Sequence, residues 1–152
     1  MGNICRSPTA EGVFRYVHAQ RGSELEVEID SAGTHDYHVG CAPDRRAITA
    51  AARRGIDLSA LRARRVEDRD FELFDLILAV DQENFRTLHR RAPREYRSRI
   101  RLIMDYAPHA HAREVPDPYY GGPKGFEEVL DLLEQASEGL LAALLSDRRR
   151  SA

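Results

Sequence analysis

The residues next to the first methionine have the types and spacing of an anion-binding loop. They read Gly2-Asn3-Ile4-Cys5-Arg6-Ser7-Pro8 and lead directly into a predicted helix. Ser7 can cap that helix, and Pro8 suits its first position. Free backbone N–H groups and the positive end of a helix bind a dianion, and the Arg6 guanidinium can donate two hydrogen bonds to phosphate oxygens. An ordinary loop-to-helix junction with a surface arginine is the alternative interpretation.

The elements that must position this loop follow in a regular order. Helical spacing of apolar residues predicts four helices, over 7–22, 44–55, 82–92 and 126–145. Between them lie three predicted strands, over 25–30, 74–81 and 100–106. The first alternates Leu25, Val27 and Ile29 with acidic residues and is typical of a strand near a sheet edge, whereas the other two are apolar runs typical of buried strands. This alternation predicts an α/β fold with a parallel sheet.

Composition limits the class of protein. The chain has 152 residues and a formal net charge of -2, which indicates one domain and favours neither nucleic acid nor a membrane as a partner. Its two cysteines and six histidines form no metal-ligand pattern. No apolar run reaches the roughly 18 residues of a membrane span, and no signal-peptide core is present, so we expect a cytoplasmic protein. The predicted domain covers 1–146, with a disordered tail over 147–152.

Four segments together resemble the low-molecular-weight protein-tyrosine phosphatases. They are GNICRSPTAEGVFR, DSAGTHDYHVG, FDLILAVDQEN and VPDPYYGG, and they occur in the family's order along essentially the whole chain. The resemblance implies a three-layer α/β sandwich with a four-stranded parallel sheet of strand order 2-1-3-4. It also implies hydrolysis of phosphotyrosine monoesters in proteins, with inorganic phosphate as a product and without a metal or organic cofactor.

The resemblance places the family's nucleophile outside the printed sequence. The family loop reads C-x-G-N-x-C-R-S, so its first cysteine would directly precede Met1, and Cys5 matches the second cysteine. We therefore expect an N-terminally truncated copy whose first strand and nucleophile lie upstream, through a misassigned start or a shortened chain. Cys5 directly precedes Arg6 and is poorly aligned for in-line attack. The chain alone is expected to be inactive, and poorly soluble or partly unfolded.

The resemblance also assigns roles to residues that are present. Arg6 would bind the phosphoryl oxygens, and Asp117 would act first as general acid and then as base, although an aspartate before a proline is also common in turns. Asp81 matches an acidic position at the edge of the site, and a helix N-cap explains it equally well. Ser31, with Asn3 and Ser7, would hold the loop in shape. The predicted substrate-binding residues are Gly2, Asn3, Ile4, Cys5, Ser7, Tyr37, Tyr119 and Tyr120.

Three other functions remain open at this point. A chain with Arg6 and loop amides but no reactive thiol could bind phosphate or phosphotyrosine without turnover. Arsenate reductases of the same fold need two further cysteines, and the stretch 81–91 contains none. Relatives acting on phosphoarginine tend to have threonine at the position of Ile4, so Ile4 favours an aryl phosphate.

Overall fold

A computed structural model describes residues 4–21, 24–119 and 121–151. Helices account for most of the regular structure in these ranges. Their order follows the predicted one, with one short helix that the periodicity of the sequence does not indicate. The helices are α1 (Arg6–Arg21), α2 (Arg45–Ala52), α3 (Asp70–Leu73), α4 (Gln82–Arg91) and α5 (Pro123–Ser151).

Two short parallel strands form the sheet in the described residues. They are β1 (Ile77–Ala79) and β2 (Ile100–Leu102), with Ile77 opposite Ile100 and Ala79 opposite Leu102. A 3₁₀ turn (Arg94–Arg99) precedes β2, and another (Ile103–Tyr106) follows it. The parallel arrangement is as the sequence predicts, whereas the four-stranded sheet of order 2-1-3-4 stays a prediction.

The segment 25–30 has the predicted alternation but is not paired as a strand. Leu25, Val27 and Ile29 are half-buried against the core, while the acidic residues between them are exposed. No backbone N–H from residue 26 to residue 30 reaches an acceptor among the described residues. The side-chain pattern was therefore interpreted correctly, but a strand also requires a neighbour, which sequence periodicity cannot provide.

The sheet lies between two apolar clusters, as in a layered α/β domain. Leu78 and Val80 contact the larger cluster, formed mainly by α1, α2 and α5. Ile77 and Ala79 contact the smaller one, which contains Phe71, Leu88, Ala92 and Ile100. Successive side chains of a strand point to opposite faces, so β1 is covered on both. None of the helices in the described ranges is long and apolar enough to cross a membrane.

Helix α5 differs most from its predicted extent. It runs from Pro123 to Ser151, so residues 147–151 form its exposed last turns, whereas the sequence predicts a disordered tail there. Basic residues near a helix C-terminus interact favourably with the helix dipole, and Arg148, Arg149 and Arg150 occupy that last turn. Gly139 allows the middle of α5 to touch the Tyr106 carbonyl, because a Cβ there would overlap with that oxygen.

Candidate active site

Arg6 connects the start of α1 to the carboxyl end of β1. Its side chain is only 6% exposed, and its Nη1 donates to Asp81 Oδ2 at 2.7 Å and to the Val115 carbonyl at 2.9 Å. Burial alone would raise the pKa of Asp81, but the Asn84 N–H and the Arg6 guanidinium more than offset this, so the pKa lies below its usual value. Asp81 is therefore a charged anchor for Arg6.

The interaction with Asp81 uses only part of the Arg6 guanidinium. Neither Nε nor Nη2 of Arg6 donates to any residue that the structure describes. Arg6 is also the first residue of α1, where backbone N–H groups have no partner within the helix. Remaining guanidinium donors and a helix N-terminus are the groups that bind a phosphate dianion.

The predicted cap of the first helix is wrong by two residues, because Cys5 rather than Ser7 directly precedes the helix. Helix α1 begins at Arg6, so Ser7 is its second residue rather than its cap, and Pro8 is its third. The Cys5 carbonyl already accepts the Thr9 N–H at 3.3 Å and the Thr9 hydroxyl at 2.6 Å. These bonds extend the helix towards the loop. Pro8 still fits, because N–H groups in the first turn lack helical partners.

Cys5 is buried and strongly disfavoured as a thiolate. It is 6% exposed, and its pKa is raised to about 12, first by burial and then by the charges of Asp44 and Asp117. A nucleophilic cysteine requires the opposite shift, because the thiolate is the reactive form. Cys5 thus forms part of the wall of the site and remains a thiol at neutral pH.

The loop carrying Asp117 faces this wall. Asp117 is exposed, and its Oδ1 accepts the Tyr119 N–H at 3.0 Å, which fixes the turn after the carboxylate. It lies close enough to Cys5 to raise the pKa of that thiol. An exposed carboxyl at the mouth of an anion site can exchange a proton with a bound leaving group.

Arg46 ties the same loop to α2. Its Nη2 donates to the Tyr119 carbonyl at 2.8 Å, and its guanidinium lies over the rings of Tyr119 and Phe126, at 5.5 and 4.9 Å from their centres. Two further bonds join it to Asp44, whose carboxylate caps α2 as the sequence predicts. Arg46 was missed in the sequence analysis, because the contacts that join it to Tyr119 and Phe126 span more than seventy residues.

Aromatic rings from two loops lie beside the site. The His35 and Tyr37 rings are 5.1 Å apart, and His38 lies 6.5 Å from both the Tyr37 and the Tyr119 rings. Tyr37 is 73% exposed. The predicted pair Tyr37 and Tyr119 therefore lies on one aromatic surface, to which two histidines that the prediction omitted also belong.

A second set of polar contacts holds the loop after residue 30. The Ser31 hydroxyl donates to Glu11 Oε1 at 2.8 Å, and Glu11 also accepts from Arg15. Thr34 Oγ1 donates to Asn84 Oδ1 at 3.0 Å. Ser31 thus contacts α1, and its predicted role in holding the anion-binding loop in shape stays a prediction. Glu11 and Asn84 were missed because a polar helix residue gives no hint that it is buried.

The remaining predicted site residues fall into two groups. Ile4 is half-buried, and its carbonyl accepts the Asp44 N–H at 2.6 Å, while Ser7 lies in the first turn of α1. Gly2, Asn3 and Tyr120 lie outside the described residues. Within the described ranges, no three His, Cys, Asp or Glu side chains converge in a group that could hold a metal ion.

Comparison with known proteins connects this geometry to one enzyme family. The family model described as low molecular weight phosphotyrosine protein phosphatase matches residues 1–150, a span that gives no support to the predicted truncation. A low molecular weight protein-tyrosine-phosphatase of Streptomyces coelicolor is 44% identical over 146 residues, covering 94% of this chain and 88% of that protein.

Solved structures agree with this match. The crystal structure of a protein tyrosine phosphatase from Entamoeba histolytica with Hepes in its active site superposes with a TM-score of 0.93 at 40% identity, covering 97% of this chain and 94% of the other. A Drosophila arginine phosphatase structure superposes with a TM-score of 0.87 at 28% identity, covering 95% and 93%. The fold is thus shared by phosphatases whose names indicate different phosphorylated residues.

Proposed function

The chain belongs to the low molecular weight phosphotyrosine protein phosphatase family, and from this premise we propose that its site hydrolyses phosphotyrosine in proteins through a cysteinyl-phosphate. The observation that carries the proposal is the position of Arg6. It lies buried at the start of α1 and donates to Asp81 through Nη1, while Nε and Nη2 donate to no described residue.

In the first step, a cysteine thiolate attacks the phosphorus atom and the bond from phosphorus to the phenolic oxygen breaks. Arg6 and the N–H groups at the start of α1 bind the equatorial oxygens, whose charge is stabilised as the phosphoryl group moves. The protonated Asp117 carboxyl gives its proton to the departing phenolate. The exposed position of Asp117 beside Cys5 supports this role.

In the second step, the cysteinyl-phosphate is hydrolysed. Asp117, now a carboxylate, takes a proton from a water molecule, whose oxygen attacks phosphorus. The sulfur–phosphorus bond breaks, the thiolate is regenerated and inorganic phosphate leaves. Every group in these two steps is a side chain, a backbone N–H or water, so the route requires no cofactor.

Cys5 does not fit the role of nucleophile. Its pKa of about 12 keeps it protonated, and its carbonyl is committed to Thr9. We assign the thiolate instead to the position that the family motif places directly before Met1. Residues 1–152 alone are then a phosphate-binding protein without turnover.

The aromatic surface favours an aryl substrate. Tyr37 and Tyr119 present partly exposed rings beside the Asp117 loop, and such rings can pack against a phenyl phosphate. Phosphoarginine is the second candidate, supported by the similarity to the Drosophila arginine phosphatase. Arsenate reduction is disfavoured, because the described residues contain only Cys5 and Cys41.

Two extended chains test the proposal. In one, the residues Val-Leu-Phe-Val-Cys precede Met1, and in the other the cysteine is replaced by serine. We expect the cysteine form alone to hydrolyse p-nitrophenyl phosphate and to prefer a phosphotyrosine peptide over a phosphoarginine peptide. Asp117→Asn in that form should lower kcat by about 10²–10⁴. Equal rates with cysteine and serine would overturn the proposal.

A further inference from the structure

The loop that carries Asp117 is attached to its surroundings before that residue. The Glu114 carboxylate accepts the Gln82 N–H at 2.5 Å, at the start of α4. The Val115 N–H donates to the Val80 carbonyl at 2.9 Å, directly after β1. These two bonds fix the entry of the loop to the end of β1 and to α4.

The part of the loop that follows Asp117 is attached through Arg46. Arg46 Nη2 donates to the Tyr119 carbonyl at 2.8 Å, and the guanidinium also lies over the rings of Tyr119 and Phe126. Contacts between a cation and an aromatic face add to such a bond. The Tyr119 N–H in turn donates to Asp117 Oδ1 at 3.0 Å. Tyr119 therefore contacts Arg46 through its carbonyl and Asp117 through its N–H.

Arg46 is itself oriented by Asp44. Its Nε and Nη2 donate to the two oxygens of the Asp44 carboxylate, both at 3.0 Å. A pair of bonds of this kind fixes the plane of a guanidinium as well as its position. The Arg46 side chain is 47% exposed, so directed hydrogen bonds rather than burial hold it in place.

The Asp44 backbone continues these contacts to the predicted anion-binding loop. Its N–H donates to the Ile4 carbonyl at 2.6 Å. An unbroken set of hydrogen bonds therefore joins the two loops of the candidate site. We call this set the Arg46 bridge, and its members in order are Ile4, Asp44, Arg46, Tyr119 and Asp117.

The electrostatics of Cys5 indicate that the bridge lies beside the site. After burial, the charges of Asp44 and Asp117 raise the pKa of the Cys5 thiol, and the charge of Arg46 lowers it. Interactions between charges weaken with distance. Arg46 and Asp117 are thus both close to the same wall of the site.

Proton transfer in the proposed reaction depends on where the Asp117 carboxyl lies. Asp117 is exposed, so packing does not fix its position. A general acid must come within about 2.6–3.2 Å of the oxygen that it protonates. A displacement of roughly 1 Å can cost about 10² in rate. The bond from Tyr119 orients the carboxylate within its own loop, whereas Arg46 connects that loop to the other side of the site.

We propose that Arg46 is a positioning residue for proton transfer by Asp117. By joining the Tyr119 carbonyl to Asp44, it sets where the Asp117 carboxyl lies relative to the anion-binding loop. The role of Asp117 as general acid rests on the proposed function, whereas the attachment of its loop through Arg46 does not. Two separate measurements can therefore test the attachment and its consequence for the reaction.

Two matched variants isolate the Arg46 side chain. Arg46→Gln keeps the backbone N–H that the Asp44 carboxylate caps, so α2 retains its start, but it removes the guanidinium. Arg45→Gln makes the same change at the neighbouring exposed residue of α2, outside the Arg46 bridge. Differences between these two variants then report the contacts of Arg46 rather than the loss of an arginine from α2.

Hydrogen exchange of single amides, measured by NMR on residues 1–152, tests the attachment. Arg46→Gln should speed exchange of the Tyr119 amide at least about fivefold, because the turn that holds it loses its outside support. The Val115 amide, at the entry of the loop, should be unchanged in the same spectra. Arg45→Gln should match the wild type at both amides. An unchanged Tyr119 amide, or equal acceleration at Tyr119 and Val115, would overturn the proposal.

Leaving groups of different basicity test the consequence in the extended cysteine form. For phenyl phosphate, whose departing phenolate requires a proton, Arg46→Gln should lower kcat/KM about tenfold or more. For 2,4-dinitrophenyl phosphate, whose weakly basic phenolate leaves without a proton, the loss should stay below about twofold. Arg45→Gln should leave both values unchanged. Equal losses with the two substrates would contradict a role in proton transfer.

Combining Arg46→Gln with Asp117→Asn shows whether the two residues act as a unit. Once the acid is removed, its position no longer matters, so the double variant should match Asp117→Asn alone with phenyl phosphate. Losses that multiply would show that Arg46 acts without Asp117 and would refute the proposal. If the cysteine form shows no turnover, the proposed function is contradicted, and the exchange of the Tyr119 amide alone decides the attachment.

Discussion

The two edges of β1 have opposite surroundings. On one edge the strand pairs with β2, next to a cluster in which Phe71 is completely buried and Ala79 is 2% exposed. On the other edge lies a cavity of about 390 Å³, whose opposite wall is formed by residues 26–30. The backbone N–H groups of these residues donate to no described residue. In the described residues, β1 is thus paired along one edge and unpaired along the other.

This difference indicates that the candidate site can form although one edge of β1 is unpaired in the described residues. The site at the carboxyl end of β1 depends on Arg6, Asp81 and the Val115 carbonyl, which are joined by direct hydrogen bonds. None of these three residues lines the cavity beside β1. We therefore expect the proposed phosphate-binding groups to be positioned by α1 and by these hydrogen bonds, and the cavity to affect stability more than the geometry of the site.

Shortening one apolar side chain beside each edge of β1 should reveal the difference between the two edges most strongly. Phe71→Ala removes a fully buried ring from the closed side and should lower the free energy of unfolding by roughly 3–5 kcal/mol. Leu78→Ala changes a half-buried residue that lines the cavity and should cost only about 1–2 kcal/mol. Urea denaturation measures both. Equal losses would contradict the contrast between the two edges.

Asp81→Asn tests the charged anchor at the end of β1. Arg6 would keep a buried charge without its counter-ion, at a cost of roughly 2 kcal/mol. Because the pKa of Asp81 in the folded protein lies below its unfolded value near 3.8, its stabilisation is complete above that value and is lost as the pH falls through the folded pKa.

The difference in unfolding free energy between the wild type and Asp81→Asn should thus be constant from pH 7 to about pH 5 and shrink below pH 4. Asp105→Asn, at an exposed position, serves as the control and should differ little from the wild type at any pH. A difference that grows on acidification would show that Asp81 does not stabilise the fold as an anion.

Thr34→Val should have the smallest effect. The substitution removes the hydrogen bond by which Thr34 joins the loop after residue 30 to Asn84 in α4, while keeping a side chain of similar shape. A loss of about 1 kcal/mol is expected in thermal unfolding. Thr49→Val, at an exposed position in α2, controls for the change of residue type.

The sequence predicted the helices well, because their signals are local. Asp44 and Asp81 cap α2 and α4 as expected, and the apolar spacing of α5 is visible in the printed residues. The length of α5 was underestimated, since its last turns are polar and exposed. Segment 25–30 shows what periodicity cannot predict. The alternation of half-buried and exposed side chains was predicted correctly, but pairing as a strand depends on a neighbour that is distant in sequence.

The candidate site was predictable only as far as the resemblance to a family reaches. Arg6 and Asp117 were predicted through motifs, and the structure adds their partners Asp81 and Tyr119. Arg46 and Glu11 were missed, because a charged residue in a helix is usually exposed and only long-range contacts reveal otherwise. The high pKa of Cys5 depends on burial and on carboxylates from two other segments.

The most direct test of the account is the turnover of p-nitrophenyl phosphate by residues 1–152, measured beside the Cys5→Ser variant. Cys5 has a pKa of about 12 and should not attack phosphorus, so neither protein should show turnover above the buffer rate. Turnover by the unaltered chain that Cys5→Ser abolishes would make Cys5 the nucleophile and contradict the central claim.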